Sequence, residues 1–242
     1  MPDGKNINLK CGSLFPKSLS EAVVENKAQI GIAYDGDADR VLWADETGRI
    51  LNGDHTLLVL AKYMQENNSL KSDFVVATPM SNMGLEKALQ QMELQLVRAP
   101  VGDRFVLEEM LKLKANLGGE QSGHTILLDE CSTGDGILTS IKMLEVMITR
   151  KKNLSQLAAG LKEFPQILLN VSVSKRAEIS QHPEIVQAAA AIEKTLGNDG
   201  RINVRYSGTE PIVRIMIEGQ DIKQITEMAE GLASIIKKYL NE

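Results

Sequence analysis

The stretch FVVATPMSNMGLEKALQQMELQLV, residues 74–97, contains one complete strand–helix–strand unit. Residues 74–77 and 94–97 are short apolar runs, and residues 83–92 between them carry apolar side chains at helical spacing. Parallel strands need a crossover connection of this kind, which is usually a helix. The stretch therefore predicts an α/β layer domain with a largely parallel sheet.

The same alternation of strand and helix continues on both sides of this unit. We predict further strands at residues 28–34, 41–44 and 125–128, and helices at residues 54–64, 104–113 and 135–151. Asp54 can cap the first of these helices. The composition changes near Phe164 and Pro165. Beyond them the pattern predicts strands at 168–173, 202–205 and 212–218 and helices at 183–196 and 225–240. This βαββα order predicts a small α+β domain at the C-terminal end.

The composition is that of an ordinary globular protein and argues against several function classes. The 242 residues carry a net charge of −5, so nothing indicates a nucleic-acid surface. No window approaches 18 uninterrupted apolar residues, and the first residues lack the apolar segment of a signal peptide. Cys11 and Cys131 lie far apart and form no metal-ligand pair. We therefore predict a cytoplasmic protein with reduced thiols that binds neither nucleic acid nor a membrane.

A cluster of carboxylates follows the first predicted strand. Asp35, Asp37 and Asp39 alternate with two small residues, and Arg40 comes next. Neighbouring charges about 5.5 Å apart repel by roughly 3 kcal/mol at an effective dielectric near 20, so the cluster is costly without a cation. Anionic sites made only of oxygen suit hard ions, Mg²⁺ first. The loop is therefore a candidate magnesium site, beside which Arg40 could hold a phosphate.

Three other interpretations of this loop remain open. One is a solvated acidic turn, although the loop follows an apolar strand. Another is an EF-hand, but Arg40 occupies the position that needs glycine, and strands rather than helices flank the loop. The third is a phosphatase of the haloacid dehalogenase type with Asp35 as nucleophile, although Asp39 stands where threonine or valine is expected.

A second chemical loop, GGEQSGH, occupies residues 118–124. Glycines bracket the carboxylate of Glu120, the hydroxyl of Ser122 and the imidazole of His124. A carboxylate accepts hydrogen bonds and a hydroxyl both donates and accepts, so the pair can bind adjacent sugar hydroxyls. The competing interpretation is a tight turn with polar side chains, in which His124 is structural.

A third loop, RYSGTEP, occupies residues 205–211 between two predicted strands. The guanidinium of Arg205, the hydroxyls of Ser207 and Thr209 and the backbone at Gly208 can enclose a phosphate. Arg214 joins them if the pleat of the strand turns it the same way. An ordinary hairpin turn is the alternative.

These motifs, in this order, resemble the α-D-phosphohexomutase superfamily, and within it the phosphoglucosamine mutase family. The resemblance runs over essentially the whole chain. It is carried by the segments NIN at 6–8, CGS at 11–13, MSN at 80–82, VGDR at 101–104, GEQSGH at 119–124, TGDG at 133–136 and SGTEP at 207–211. It implies mixed-sheet layer domains of the phosphohexomutase type, followed by a small α+β C-terminal domain: the end of domain 2 lies at residues 1–49, domain 3 at 50–163 and domain 4 at 164–242.

The resemblance also implies a role for each candidate residue. The metal ligands for Mg²⁺ would be Asp35, Asp37 and Asp39, and the catalytic residues would be Arg40 and His124. The residues that bind the hexosamine phosphate would be Glu120, Ser122, Arg205, Ser207, Gly208, Thr209 and Arg214. The implied reaction interconverts glucosamine 6-phosphate and glucosamine 1-phosphate through a 1,6-bisphosphate, for UDP-N-acetylglucosamine and cell-wall precursor synthesis.

Some features depart from the family pattern. The Ser-His-Asn-Pro loop that carries the family's phosphoserine does not occur in these 242 residues. Leu14 and Phe15 stand where the family usually has Thr-His, and Tyr206 stands where it has proline. We therefore expect the chain to begin inside domain 2, to need the N-terminal half of the same enzyme as its partner, and not to turn over alone. A non-catalytic sugar-phosphate-binding or assembly chain and a homodimer both remain open.

Overall fold

The computed structural model describes residues 3–174, 179–207 and 210–241. The chain divides into two compact units, Met1–Lys162 and Glu163–Glu242, which are described separately below. The finer division of the first unit at residues 49 and 50 stays a prediction. Among the described residues, no helix is both long enough and apolar enough to span a membrane.

The first unit begins with a small antiparallel sheet. A 3-10 turn at Gly12–Leu14 and helix α1 (Lys17–Asn26) precede its three strands, β1 (Ile30–Tyr34), β2 (Val41–Asp45) and β3 (Ile50–Leu51), which lie in the order β1-β2-β3. The register pairs Tyr34 with Val41, so residues 35–40 form the connection between β1 and β2. Both long strands were predicted from the sequence, whereas α1 was not.

A mixed four-stranded sheet and its helices form the rest of this unit. The elements in chain order are α2 (Gly53–Glu66), β4 (Phe74–Ala77), α3 (Met83–Gln90), β5 (Gln95–Arg98), α4 (Asp103–Leu113), β6 (Leu117–Gly119), β7 (Thr125–Leu127), α5 (Gly136–Arg150) and α6 (Leu154–Ala158). The sheet order is β5-β4-β6-β7. β4 pairs in parallel with β5 and β6, whereas β6 and β7 are antiparallel. Residues 118 and 119, predicted as loop, end strand β6.

One hydrophobic core holds the two sheets of this unit together. Trp43 of β2, Leu57 of α2, Leu85 of α3 and Leu117 of β6 belong to the same buried cluster. The indole Nε1 of Trp43 donates to Thr56 Oγ1 at 2.9 Å, so its one polar atom is satisfied inside the core. The strands that flank the acidic loop are therefore anchored in the same core as the helices of the second sheet.

The second unit follows the predicted βαββα order. Its elements are β8 (Gln166–Ser172), α7 (Pro183–Leu196), β9 (Gly200–Tyr206), β10 (Ile212–Gly219) and α8 (Ile222–Asn241), with short 3-10 turns at Ile179–Gln181 and Gly197–Asp199. The antiparallel sheet has the order β8-β10-β9. Val213, Ile215 and Ile217 alternate along β10 into a core shared with Ile185 of α7 and Ile236 of α8.

Helix α2 begins at a cap different from the one predicted. The sequence suggested Asp54, but Asn52 is the N-cap, and its Oδ1 accepts from the backbone N–H of Asp54 at 3.0 Å. The ring of His55 completes a capping box, since its Nδ1 lies 3.3 Å from the backbone N of Asn52, and its Nε2 lies 3.0 Å from Arg49 Nη2. Burial, together with Arg49, lowers the pKa of His55 to about 4, while Asp45 opposes the shift. His55 is therefore neutral in the folded chain at pH 7.

We predict that in His55→Gln the free energy of unfolding falls less steeply as the pH drops from 6.5 to 4. An unfolded histidine binds a proton below about pH 6.5, whereas folded His55 does so only near pH 4. The contribution of His55 to the free energy of unfolding is therefore complete above pH 6.5 and falls as the pH drops towards 4, by about 2–3 kcal/mol. Urea unfolding of both proteins, followed by the fluorescence of Trp43, measures the difference.

Glutamine is chosen because it can still accept from the N-cap backbone at this helix position. Trp43 is the one tryptophan of the chain, so the signal reports the first unit. The prediction would be contradicted if the difference in free energy of unfolding between the variant and the parent stayed constant from pH 6.5 to pH 4.

Candidate functional site

The acidic loop between β1 and β2 gathers its three carboxylates closely. One ligand oxygen each from Asp35, Asp37 and Asp39 lies within 4.8 Å of the other two. Ala38 adopts a left-handed conformation with φ of 60°, and its carbonyl accepts from the N–H of Gly136 at 2.9 Å. This spacing of oxygen ligands suits one hard divalent cation.

Arg40 closes the same loop. Its N–H donates to Asp35 Oδ1 at 3.2 Å, and its Nε lies 3.8 Å from Asp35 Oδ2 and from Asp39 Oδ1. In the described part of the chain this Nε has no hydrogen-bond partner, and 39% of the side chain is exposed. The guanidinium therefore partly neutralises the carboxylates, and its N–H donors remain available to an anion.

His124 connects the second loop to the acidic loop. Its ring is only 3% exposed, and Nδ1 lies 2.9 Å from Asp39 Oδ2. The N–H of Gly134 donates to Nε2 at 3.1 Å, so Nε2 is unprotonated and Nδ1 carries the proton that Asp39 accepts. A Cβ on Gly134 would lie 2.4 Å from the ring, so glycine is needed there. Both ring nitrogens of this predicted catalytic residue are thus engaged within the chain, in an arrangement that positions Asp39.

The loop at residues 120–123 presents an acceptor beside a donor. Two backbone hydrogen bonds close this loop. The Glu120 N–H donates to the His124 carbonyl at 2.7 Å, and the Gly123 N–H donates to the Glu120 carbonyl at 3.0 Å. Glu120 Oε1 accepts from the N–H of Gly102 at 3.2 Å, and Ser122 Oγ donates to Oε2 at 3.2 Å. Glu120 and Ser122 together match a pair of neighbouring sugar hydroxyls.

Backbone contacts place the acidic loop and this second loop side by side. The Val41 N–H donates to the Gly123 carbonyl at 3.2 Å, and Arg40 and His124 form an isolated β-bridge. The structure thus brings together seven predicted site residues: Asp35, Asp37, Asp39, Arg40, Glu120, Ser122 and His124.

The remaining predicted site residues belong to the second unit. The register places Arg214 of β10 directly opposite Arg205 of β9, and opposed residues lie on the same face of an antiparallel sheet. Arg214 Nη2 lies 3.4 Å from Glu210 Oε2, and its buried Nε has no hydrogen-bond partner among the described residues. Ser207 Oγ accepts from the Glu210 N–H at 3.3 Å. Gly208 and Thr209 lie outside the described residues.

Sequence reasoning missed the residues that support the acidic loop from α5. Tyr34 Oη donates to Ser140 Oγ at 2.8 Å, and that hydroxyl donates to the Gly136 carbonyl at 2.7 Å. The available signal was the TGDG segment at 133–136, which contains Gly134 and ends at the first residue of α5.

Two family models match the chain. The alpha/beta/alpha domain III of phosphoglucomutase/phosphomannomutase matches residues 52–164. The C-terminal domain of the same family matches residues 168–235. The acidic loop precedes the first of these matches.

Curated relatives resemble nearly the whole chain. Phosphoglucosamine mutase from Carboxydothermus hydrogenoformans is 48% identical over 237 residues, 98% of this chain and 53% of the relative. Phosphoglucosamine mutase from Bdellovibrio bacteriovorus is 47% identical over 240 residues, 99% of this chain and 52% of the relative. The chain therefore spans about half the length of the curated relatives it matches.

Solved structures share the fold. An N-acetylphosphoglucosamine mutase from Aspergillus fumigatus gives a TM-score of 0.79 at 19% identity, over 97% of this chain and 53% of that one. A phosphoglucomutase/phosphomannomutase family protein from Burkholderia thailandensis gives 0.75 at 20% identity, over 96% and 52%. Both confirm the predicted α/β architecture with its α+β C-terminal part. The motifs, the two matching domains and the relatives agree, and the chain belongs to the phosphoglucomutase/phosphomannomutase family.

Proposed function

We propose that this chain supplies three loops of a phosphoglucosamine mutase, which interconverts glucosamine 6-phosphate and glucosamine 1-phosphate. They are the metal loop at residues 35–40, the sugar loop at residues 118–124 and the distal phosphate loop at residues 205–211. The observation that carries the proposal is the direct connection between Asp39 and His124, at 2.9 Å, which joins a carboxylate cluster to a sugar-type loop. Relatives named phosphoglucosamine mutase, 46–48% identical over almost all of this chain, support the choice of substrate.

The residues of the acidic loop fit a magnesium ion. Three carboxylates within 4.8 Å of one another provide hard oxygen ligands and negative charge, which is what Mg²⁺ prefers. A solved relative from Aspergillus fumigatus was determined in complex with GlcNAc-6P and magnesium. When bound, the ion would withdraw charge from the phosphoryl group during transfer.

The chain's own side chains have separate tasks in this proposal. Arg40 keeps donors beside the carboxylates and binds the phosphate that is transferred. Glu120 and Ser122 bind two sugar hydroxyls, and His124 holds Asp39 in place. Arg205 and Arg214, on one face of the sheet, bind the phosphate that does not react, together with Ser207, Gly208 and Thr209. Because the sugar must reverse between the two transfers, these groups have to accept either of its phosphates.

The phosphoryl donor is the component that the sequence does not contain. In the proposed cycle a phosphoserine gives its phosphoryl group to the sugar to form a 1,6-bisphosphate and takes back the other one. The Ser-His-Asn-Pro motif expected for that serine does not occur in these 242 residues. In the proposed cycle this chain therefore supplies binding groups, and another segment of the enzyme supplies the donor.

We expect Asp37→Asn and Asp39→Asn each to weaken Mg²⁺ binding by at least about tenfold, because each removes one charge from a cluster of three. Titration calorimetry of the purified chain with Mg²⁺ measures the affinity. Asp73→Asn is the matched control, since this residue lies just before β4 and outside the cluster. Equal affinities for all four proteins would rule out the metal loop.

We expect His124→Ala to release both groups that the imidazole holds. The amide of Gly134 loses its acceptor, so its hydrogen exchange accelerates by about tenfold or more. Mg²⁺ affinity falls by about tenfold because Asp39 loses its orienting donor. The amide of Leu128, which donates to the Asn116 carbonyl, serves as the internal control. Unchanged exchange at Gly134 would show that the imidazole does not hold that amide.

The proposed reaction is tested by phosphorus NMR of glucosamine 1-phosphate with Mg²⁺ and a trace of the 1,6-bisphosphate. We expect no change with this chain alone, and glucosamine 6-phosphate once an N-terminal half from a phosphoglucosamine mutase relative is added. Asp37→Asn should reduce that complemented rate by at least about 100-fold.

Two other outcomes would replace the proposal. Release of inorganic phosphate by the chain alone, abolished by Asp35→Asn, would indicate a phosphatase. A complemented mixture that binds the sugar phosphate without converting it would indicate a non-catalytic binding chain.

A further inference from the structure

The first turn of α2 lies directly against the backbone of the sugar loop. The N–H of Gly53 donates to the Gln121 carbonyl at 3.0 Å. A Cβ built on Gly53 would lie 1.9 Å from the Glu120 carbonyl oxygen and 2.9 Å from the Gly123 nitrogen. Side chains essentially never approach backbone that closely, so any larger residue at position 53 has to displace residues 120–123.

The next residue, Asp54, holds the Gln121 side chain of the same loop. Its carboxylate is fully buried, which is costly for a charge without hydrogen bonds. Oδ2 accepts from the Asn82 N–H at 2.8 Å and from Gln121 Nε2 at 3.2 Å. Asn82 is itself the N-cap of α3 and accepts from the Gly84 N–H at 2.8 Å. Asp54 therefore joins the starts of two helices to the middle of the sugar loop.

We infer that Gly53 and Asp54 are positioning residues for sugar binding, acting through Gln121 on its neighbours Glu120 and Ser122. Gln121 is fixed at its carbonyl by Gly53 and at its side-chain amide by Asp54. The residues on either side of Gln121 form the donor–acceptor pair between Ser122 Oγ and Glu120 Oε2. A loop held at its central residue keeps this pair in place before ligand arrives, so less ordering is needed on binding. The inference rests on the proposed function for the role of the loop, but not for the contacts themselves.

The test uses Gly53→Ala and Gln121→Met in the full 242-residue chain. Alanine at 53 pushes the Glu120 carbonyl away, and methionine at 121 keeps the length of the side chain but removes the donor to Asp54. Gly160→Ala is the matched control in the same unit, since a Cβ there would meet only Leu58 Cδ2, at an ordinary 3.6 Å. Two readouts are collected by NMR: the amide signals of residues 120–123 without ligand, and the affinity for glucosamine 6-phosphate with Mg²⁺.

We expect both loop variants to shift or broaden the signals of residues 120–123, and Gly160→Ala to leave them unchanged. Affinity should fall by about tenfold in both loop variants, because the binding groups lose their fixed arrangement. Signals of 120–123 that match those of the Gly160→Ala control would overturn the positioning role. Signals that move while the affinity stays equal to that of the parent would overturn its link to sugar binding. If the parent chain does not bind glucosamine 6-phosphate, the proposed function fails, and the ligand-free signals still decide whether Gly53 and Asp54 position the loop.

Discussion

The hydrogen bond between His124 and Asp39 is the interaction on which the candidate site depends. It spans 85 positions of sequence and joins the loop after β1 to the loop before β7. The Gly134 N–H fixes the imidazole tautomer that makes this bond possible. Three segments that are separate in the sequence therefore meet at one imidazole, and both of its ring nitrogens are hydrogen-bonded.

The supporting contacts around this bond are mostly backbone contacts. The Val41 N–H donates to the Gly123 carbonyl between the two loops, and the Ala38 carbonyl accepts from the N–H of Gly136 at the start of α5. Backbone pairing of this kind does not depend on flexible side chains, so the carboxylates of Asp35 and Asp39 are carried on a stiff frame. These backbone contacts accompany three carboxylates with one oxygen each within 4.8 Å of the other two.

Much of the architecture could be predicted from the sequence because its periodicity is strong. Residues 74–77 and 183–196 were predicted with the bounds that the structure gives. Helix α1 was missed since only one of its ten residues, Val23, is fully buried, so its apolar pattern is weak. Strand β6 was missed because two of its three residues are glycines, which strands disfavour. In both cases tertiary contacts decide the structure, and local propensity does not reveal them.

The candidate site was less predictable than the fold for a related reason. The residue types in each loop are visible in the sequence, but which atoms each side chain contacts depends on how distant segments meet. His124 illustrates this, since the sequence alone does not show that Gly134 and Asp39 contact its two ring nitrogens. Asp54 illustrates the converse, because its place in a helix start suggested only a cap. Its burial and its bond to Gln121 make it part of the support of the sugar loop. In this fold the residues nearest the chemistry are visible in motifs, while those that hold them become visible only through the hydrogen bonds they make.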